Sequence, residues 1–378
     1  MTDREAYIAL NLIPQLGPVR VRALAAHLGS LPAIFEASEA DLRGCGGIGP
    51  ELAATIVKER GRADPVAEEA ACRRLGARIV TPADDDYPTP LREIHDPPLA
   101  LYVVGDLCPA DRHAVAVVGS RRCTHYGRSV ADRLAWQLAQ AGMTVVSGLA
   151  RGIDMAAHEG ALRAGGRTLA VLGGALDRLY PPEARPLADR IAAQGAVVSE
   201  FSLGREPDRT TFPYRNRLIS GWSLGVVVVE ADRQSGAMIT AARALDQGRA
   251  VFAVPGRVDQ PMSQGPHALI RQGAKLVEDV RDVLEEFEYL FPPAALDAAA
   301  AASPPAPGFR FDGDEARVVE ALAEGELDAD TLARRSGVPA SRLASLLVGL
   351  EIKRVVRMLP GRRVALAVSP PRGAGDGA

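Results

Sequence analysis

Apolar and polar positions along the chain alternate between two rhythms from residue 111 to about 290. Short unbroken apolar runs, AVAVVGS, TVVSG, TLAVLGG, AVVSE, LGVVVVEA, RAVFAVPG and AKLV, are separated by stretches of helical spacing such as GRSVADRLAWQLAQAG and MITAARALDQG. An unbroken apolar run, rather than strict alternation, is what a strand shows when both of its faces are covered. The pattern predicts an α/β fold: an extended, Rossmann-like, doubly wound parallel sheet, with its ligand outside the carboxyl ends of the strands.

Outside that stretch the rhythm changes. Residues 1–60 predict short helices around two glycine hairpins, Leu16-Gly17-Pro18-Val19 before VRALAAHLG and Gly47-Ile48-Gly49-Pro50 before ELAATIVKER. This is the helix-hairpin-helix (SAM-like) pattern, whose helix-opening amides can meet a DNA phosphate or simply pack. Six basic against seven acidic residues in Met1 to Arg60 favour packing. The sheet domain is expected to span 61–290. Its first part supplies a helix, EEAACRRLGA, a strand, RIVTP, and a connection in which Pro88, Pro90, Pro97 and Pro98 exclude a long helix. An Ala/Pro stretch at 291–308 reads as a linker. Residues 309–368 predict a winged helix: a helix from Thr331 to Gly337, a turn at Val338-Pro339-Ala340, a second helix from Ser341, and a ribbon hinged on Pro360-Gly361. Its ten basic and nine acidic residues, counted over 309–363, suit a protein contact as well as DNA. The tail, 369–378, reads as disordered.

Chemistry concentrates where predicted strands end. Gly119-Ser120-Arg121-Arg122 follows the first apolar run and opens a helix, the arrangement that binds anions. Gly119 is expected to admit close approach, Ser120 to offer a hydroxyl and an amide, and Arg121 to fork onto a phosphate, with Arg122 beside it. In the next such turn Gly148 and Gly152 would keep the backbone open, Asp154 would cap a helix, and His158 would lie in the core. Ser235, Gly236 and Thr240 would close the far side, and Glu230 would accept from neighbouring arginines. Between them, Arg209, Phe212, Arg215, Asn216 and Arg217 set one aromatic ring among arginines. Single strands bind in this way, bases stacking while cations follow phosphates, although Phe212 could equally be a buried anchor.

Composition narrows the classes. Only Lys58, Lys275 and Lys353 among the 44 basic residues are lysine, so the cations are almost all arginine, and the net charge is −3. Cys45, Cys72, Cys108 and Cys123 form no CxxC pair, and no metal or cofactor is expected. No apolar run spans a bilayer and MTDREAY is no signal peptide, so the expected location is the cytoplasm, without membrane association. No GxGxxG follows the first predicted strand of the sheet, no acidic residue stands where one should bind a ribose, and GxxxxGK[ST] is absent, which argues against a dinucleotide-dependent enzyme or an ATPase.

The series GSRRCTHYG, SGLARGIDMAAHEGAL, LGGALDRLYPP, VVSEF, FPYRNRLISG, VVVEADRQSGAMITAARALDQGRAVFAVPG and GPHALIRQGAKLV resembles the DNA processing protein A family, also called Smf. The resemblance implies a homodimeric single-stranded DNA-binding protein, not an enzyme, that protects incoming DNA in natural transformation and loads the RecA recombinase on it. It places DNA contacts at Arg209 and Phe212, arginine standing where lysine is usual, and self-association at His267, Ile270 and Leu276. A rival of another class is a nucleoside-monophosphate phosphoribohydrolase, whose PGGxGTxxE motif carries a catalytic glutamate. Here Ala241, Ala242 and Arg243 stand where that carboxylate belongs, leaving nothing to activate water.

Overall fold

The structure is a computed structural model and describes residues 1–290, 313–322, 325–352, 355–359, 361 and 363–366. The chain divides into two compact units, Met1–Ala302 and Ser303–Ala378.

The first unit opens with five helices, α1 (Asp3–Asn11), α2 (Pro18–Leu28), α3 (Ala33–Glu36), α4 (Glu39–Arg43) and α5 (Pro50–Arg60). Local sequence sets their limits. Thr2 with Glu5 and Ser38 with Asp41 form reciprocal capping boxes, and Pro18 and Pro50 occupy first-turn positions where no amide is required. Leu10, Leu24, Ile34, Leu42 and Ile56 are fully buried and form the centre of this module. Its first hairpin turns inward: a side chain at Gly17 would lie 3.7 Å from the Tyr214 hydroxyl.

Helix α6 (Pro65–Arg74), β1 (Arg78–Val80), α7 (Thr89–Arg92) and β2 (Leu101–Gly105) lead into the sheet. The prolines hold α7 to one turn, as expected. The pattern missed β2, which lies within the stretch read as a connection, and β1 and β2 join the sheet antiparallel. Strands β3 (Ala114–Val118), β4 (Thr144–Ser147), β5 (Thr168–Val171), β6 (Ala196–Ser199), β7 (Gly225–Val228), β8 (Ala250–Ala253) and β9 (Lys275–Leu276) are parallel. Between them run α8 (His125–Gln140), α9 (Ile153–Arg163), α10 (Arg185–Gln194), α11 (Thr211–Trp222), α12 (Gly236–Asp246) and α13 (Gln264–Arg271), with α14 (Val280–Leu284) last.

Strand order is β1-β2-β6-β5-β4-β3-β7-β8-β9. After β3 the chain builds outward through β4, β5 and β6, then returns to place β7 on the other side of β3. That reversal at β3 marks the carboxyl ends of the strands beside it as the place where such a sheet opens a crevice. Both faces of the sheet are covered, which is why its strands read as unbroken apolar runs. Val115, Val117, Val145 and Val227 pack with α8 and α9, while Ala116, Val118, Val146 and Val226 pack with Leu218 and Trp222 of α11 and Ala241 of α12.

The second unit holds helices Gly313–Ala321, Ala329–Ser336 and Ala340–Ile352 and a three-stranded sheet of Leu327–Asp328, Val356–Leu359 and Arg363–Leu366. Gly337 ends the middle helix in the left-handed conformation, and Val318, Leu332, Leu343, Leu347 and Val364 form the core. This is the winged helix expected; the stretch read as a linker, the hinge residue Pro360 and the tail lie outside the described residues. Among the described residues, no helix is long and apolar enough to cross a membrane.

His158 ties α9 to β5 as a core residue. Its Nδ1 lies 2.7 Å from the Thr168 hydroxyl, which donates to the Val145 carbonyl at 2.7 Å. A hydroxyl has one proton to give, so His158 donates from Nδ1, and its buried Nε2 has no partner. Burial, and secondarily the Arg215 charge, push its pKa down from 6.5 to about 3. Between those values the unfolded chain binds a proton that the folded chain does not, so stability rises with pH across the window and falls as pH is lowered through it. Urea unfolding at pH 7 and pH 5 should show wild type losing about 1.4 kcal/mol more per pH unit below 6.5 than His158→Asn. Parallel pH profiles for the two proteins would refute this assignment.

Candidate nucleic-acid interface

The turn after β3 is built for internal bonding. The Ser120 amide donates to the Glu230 carbonyl at 2.6 Å, and the Ser120 hydroxyl accepts from the Arg122 amide at 3.0 Å. A side chain at Gly119 would meet Ile153 at 2.5 Å. Gly119 is thus required for packing of α9 against β3, and the Ser120 amide is not free for a ligand, contrary to the expectation from sequence. The amino terminus of α8 is occupied too. Glu230 accepts from the Thr124 amide at 2.7 Å and the Thr124 hydroxyl at 2.6 Å, and Gly127 leaves room for that carboxylate. Glu230 therefore neutralises a helix terminus rather than arginines. What this turn offers outward is the exposed side chains of Arg121 and Arg122.

A buried cation underlies the next turn. Arg215 is 4% exposed and donates from Nη1 to the Gly148 carbonyl at 2.9 Å and to the Val171 carbonyl, joining the ends of β4 and β5. Any side chain at Gly148 would strike its guanidinium at 2.6 Å. Gly152, with φ of 86°, lies against the Ser120 carbonyl, where a side chain would approach to 2.4 Å. These glycines accommodate protein atoms rather than an open path to the backbone. Asp154 is not a cap: Gly152 holds that position, and Asp154 is buried inside the first turn of α9, accepting from the Ala150 amide at 3.4 Å. Burial raises its pKa, with Arg215 opposing, and burial lowers that of Arg215 to about 10, with Asp154 opposing.

Arg215, Asn216, Arg217 and Thr240 are all buried and so present no surface for DNA. Asn216 accepts from Arg215 Nε at 3.2 Å and donates to the Gly236 carbonyl at 3.1 Å, which fixes the start of α12. Thr240 bonds back to Gly236, and Ser235 caps α12 by accepting from the Ala237 amide at 3.3 Å. Gly236 itself is exposed, with open space where a side chain would be. Arg217 pairs with Glu200 and with Asp96 at 3.3 Å and lies over the Tyr214 ring at 4.4 Å.

Phe212 is half-buried at the opening of α11, and exposed Arg209 precedes it by three residues. Gly173, just beyond β5, has no room for a side chain because the Phe212 ring lies 2.5 Å from where Cβ would be. The Tyr180 ring stands 6.0 Å away, tilted by 54°, and the Arg121 guanidinium lies over Phe212 at 4.7 Å. Together Arg121, Arg122, Gly148, Ala150, Arg151, Tyr180, Pro181 and Phe212 enclose a cavity of about 230 Å³. Sequence reading did not select Gly173, Tyr180 or Arg151; their signal was the segment LGGALDRLYPP and the arginine following Ala150. His267, Ile270 and Leu276 lie apart from this cavity. His267 is half-buried, 3.0 Å from the Gly256 carbonyl, Ile270 packs partly on the core, and Leu276 is 40% exposed on β9, at the end of the strand order.

A sequence model of the family described as DNA recombination-mediator protein A matches residues 78–288. The chain belongs to this family. A DprA winged helix domain matches residues 297–362 and a SAM-like helix-hairpin-helix tandem residues 8–62. Protein Smf of Escherichia coli is 40% identical over 300 residues, 75% of this chain and 76% of that protein. The structure of DNA processing protein A from Streptococcus pneumoniae is similar, with a TM-score of 0.65 and 35% identity over 76% of this chain and 98% of that one. That of DNA processing protein A from Helicobacter pylori, described for its unique single-stranded DNA binding mode, has a TM-score of 0.51 and 30% identity over 57% of this chain and 97% of that one.

The Arg217 cluster supports the fold rather than the cavity. Burial and then Asp96 push the Glu200 pKa up, to about 7, against the pull of Arg217. Arg217→Met removes that pull and leaves a buried carboxylate without its cation, so urea unfolding should show a loss of about 3–5 kcal/mol. The loss should be largest above neutral pH and shrink as pH falls, since a protonated Glu200 needs no counter-ion. A pH-independent loss would mean that packing, not charge, carries the effect.

Proposed function

We propose that this family member binds single-stranded DNA in the crevice at the carboxyl ends of β3, β4 and β5 and passes it to the RecA recombinase during natural transformation. It acts in the cytoplasm as a homodimer. The carrying observation is the cavity at Phe212, where Arg121, Arg122 and Arg151 converge on an aromatic ring beside the sheet's reversal point. Arginines suit phosphates, aromatic surface suits bases, and neither requires a particular sequence. Family membership and the binding mode described for the Helicobacter pylori protein support the ligand. The RecA role rests on the motif resemblance. Four unpaired cysteines, Cys45, Cys72, Cys108 and Cys123, suit a reducing compartment.

In this reading Arg121, Arg122, Arg209 and Phe212 meet the strand, joined by Arg151 and Tyr180. Gly119, Ser120, Gly148, Gly152, Arg215, Asn216, Ser235, Gly236 and Thr240 hold the crevice in shape, while Arg217 serves the fold through Asp96 and Glu200. The hydrolase reading has less to draw on. Ala241, Ala242 and Arg243 supply no carboxylate, and Glu230 and Asp154 are buried and bonded.

Binding should favour oligothymidylate over duplex DNA of equal length, and the logarithm of affinity should fall linearly with that of salt. Arg121→Ala should reduce the slope by about 0.7, the share of one phosphate on a single strand. Equal affinity for both DNA forms at moderate salt would overturn the proposal.

For the dimer, Leu276 is the residue to change, because Ile270 is partly in the core. Leu276→Glu should give a folded monomer by light scattering, with weakened binding only to oligonucleotides long enough to span two crevices. A wild type already monomeric at micromolar concentration, or a variant still dimeric, would exclude this interface.

A further inference from the structure

We infer that Arg121 is a stacking plate: its guanidinium, laid on the Phe212 ring, presents its outer face to one nucleobase of a bound single strand. This rests on the DNA-binding reading and changes the division of work within it. Phe212 becomes the positioning residue and Arg121 the contact.

Crowding around the ring is the first reason. Gly173 lies against Phe212 so closely that even a methyl group there would sit 2.5 Å from the ring, and Tyr180 flanks it at 6.0 Å. Arg121 covers it at 4.7 Å. A base could stack on Phe212 from that side only by displacing Arg121, whereas stacking on Arg121 requires no rearrangement.

The second reason is how each arginine is held. Arg151 is paired with the Glu183 carboxylate, but Arg121, among the described residues, is held by the ring. A guanidinium is planar and weakly hydrated, stacks on aromatic rings, and has two faces. With its guanidinium over Phe212 at 4.7 Å and the side chain exposed beside the cavity, Arg121 keeps a side open to a ligand. Its edge donors can still reach a phosphate, so the charge counted in the salt dependence stays where it was.

Replacing Arg121 with lysine separates the two roles. Lysine keeps the charge and loses the plane. With oligothymidylate across a salt series, Arg121→Lys should weaken binding about tenfold with an unchanged slope, as loss of one stacked base predicts. Phe212→Leu should cause a similar loss and Phe212→Tyr should restore binding. The double variant, Arg121→Lys with Phe212→Leu, should be no weaker than either single one. An oligonucleotide carrying 2-aminopurine should be quenched by wild type and by Phe212→Tyr, and not by Arg121→Lys. Arg121→Lys binding within twofold of wild type, or single losses that multiply in the double variant, would overturn the plate alone. Absence of any single-strand binding by wild type would overturn the DNA-binding reading together with it. Because Arg121 is exposed, its lysine variant decides the matter even if Phe212→Leu fails to fold.

Discussion

The buried guanidinium of Arg215 is the constraint on which the crevice depends. It bonds the carbonyls at Gly148 and Val171, where β4 and β5 end, and so fixes the spacing of two strand termini that share no covalent connection nearby. Its burial dictates glycine at 148 and accounts for Asp154, an acid buried within a helix that would otherwise carry an uncompensated charge. It also places Phe212. Residues three apart lie on one face of a helix, so seating Arg215 between the strand ends brings Phe212 to their mouth. Arg217, two residues beyond Arg215, faces elsewhere on the same helix and pairs with Asp96 and Glu200. One helix thus serves the crevice with one face and the fold with another.

Much of the architecture was legible because the sheet is buried on both faces. The runs AVAVV, TVVS and GVVV match β3, β4 and β7 because apolar contacts on both sides leave no polar position to break them. Strand β2 escaped because prolines precede it and because its partners, β1 and β6, are antiparallel, a relation that no local pattern encodes. Glycine turns at strand ends were recognised, but their purpose was not. Sequence suggests that a glycine turn before a helix awaits a phosphate; here Glu230, 106 residues from Thr124, already fills that role at α8. Arg217 and its acceptor, the Asp96 carbonyl, are 121 residues apart. In a chain whose cations are nearly all arginine, residue type alone does not separate the buried structural ones from the exposed ones.

That distinction explains how a chain of net charge −3 can present a surface to a polyanion. Screening in physiological salt limits the reach of a charge to about 8 Å, so the local set matters and the total does not. Around Phe212 that set contains Arg121 and Arg122 unopposed by an ion pair among the described residues, and Arg151 against Glu183. The Arg151–Glu183 pair is solvent-exposed on both sides, and water screens such pairs enough that exchanging a carboxylate for a phosphate costs little. A pair as enclosed as Arg217–Glu200 could not make that exchange, since breaking it would strand a charge in the core. Exposure therefore sorts the arginines into those that can be lent to a ligand and those that cannot. The crevice gathers the first kind at its mouth and keeps Arg215, of the second kind, beneath its floor.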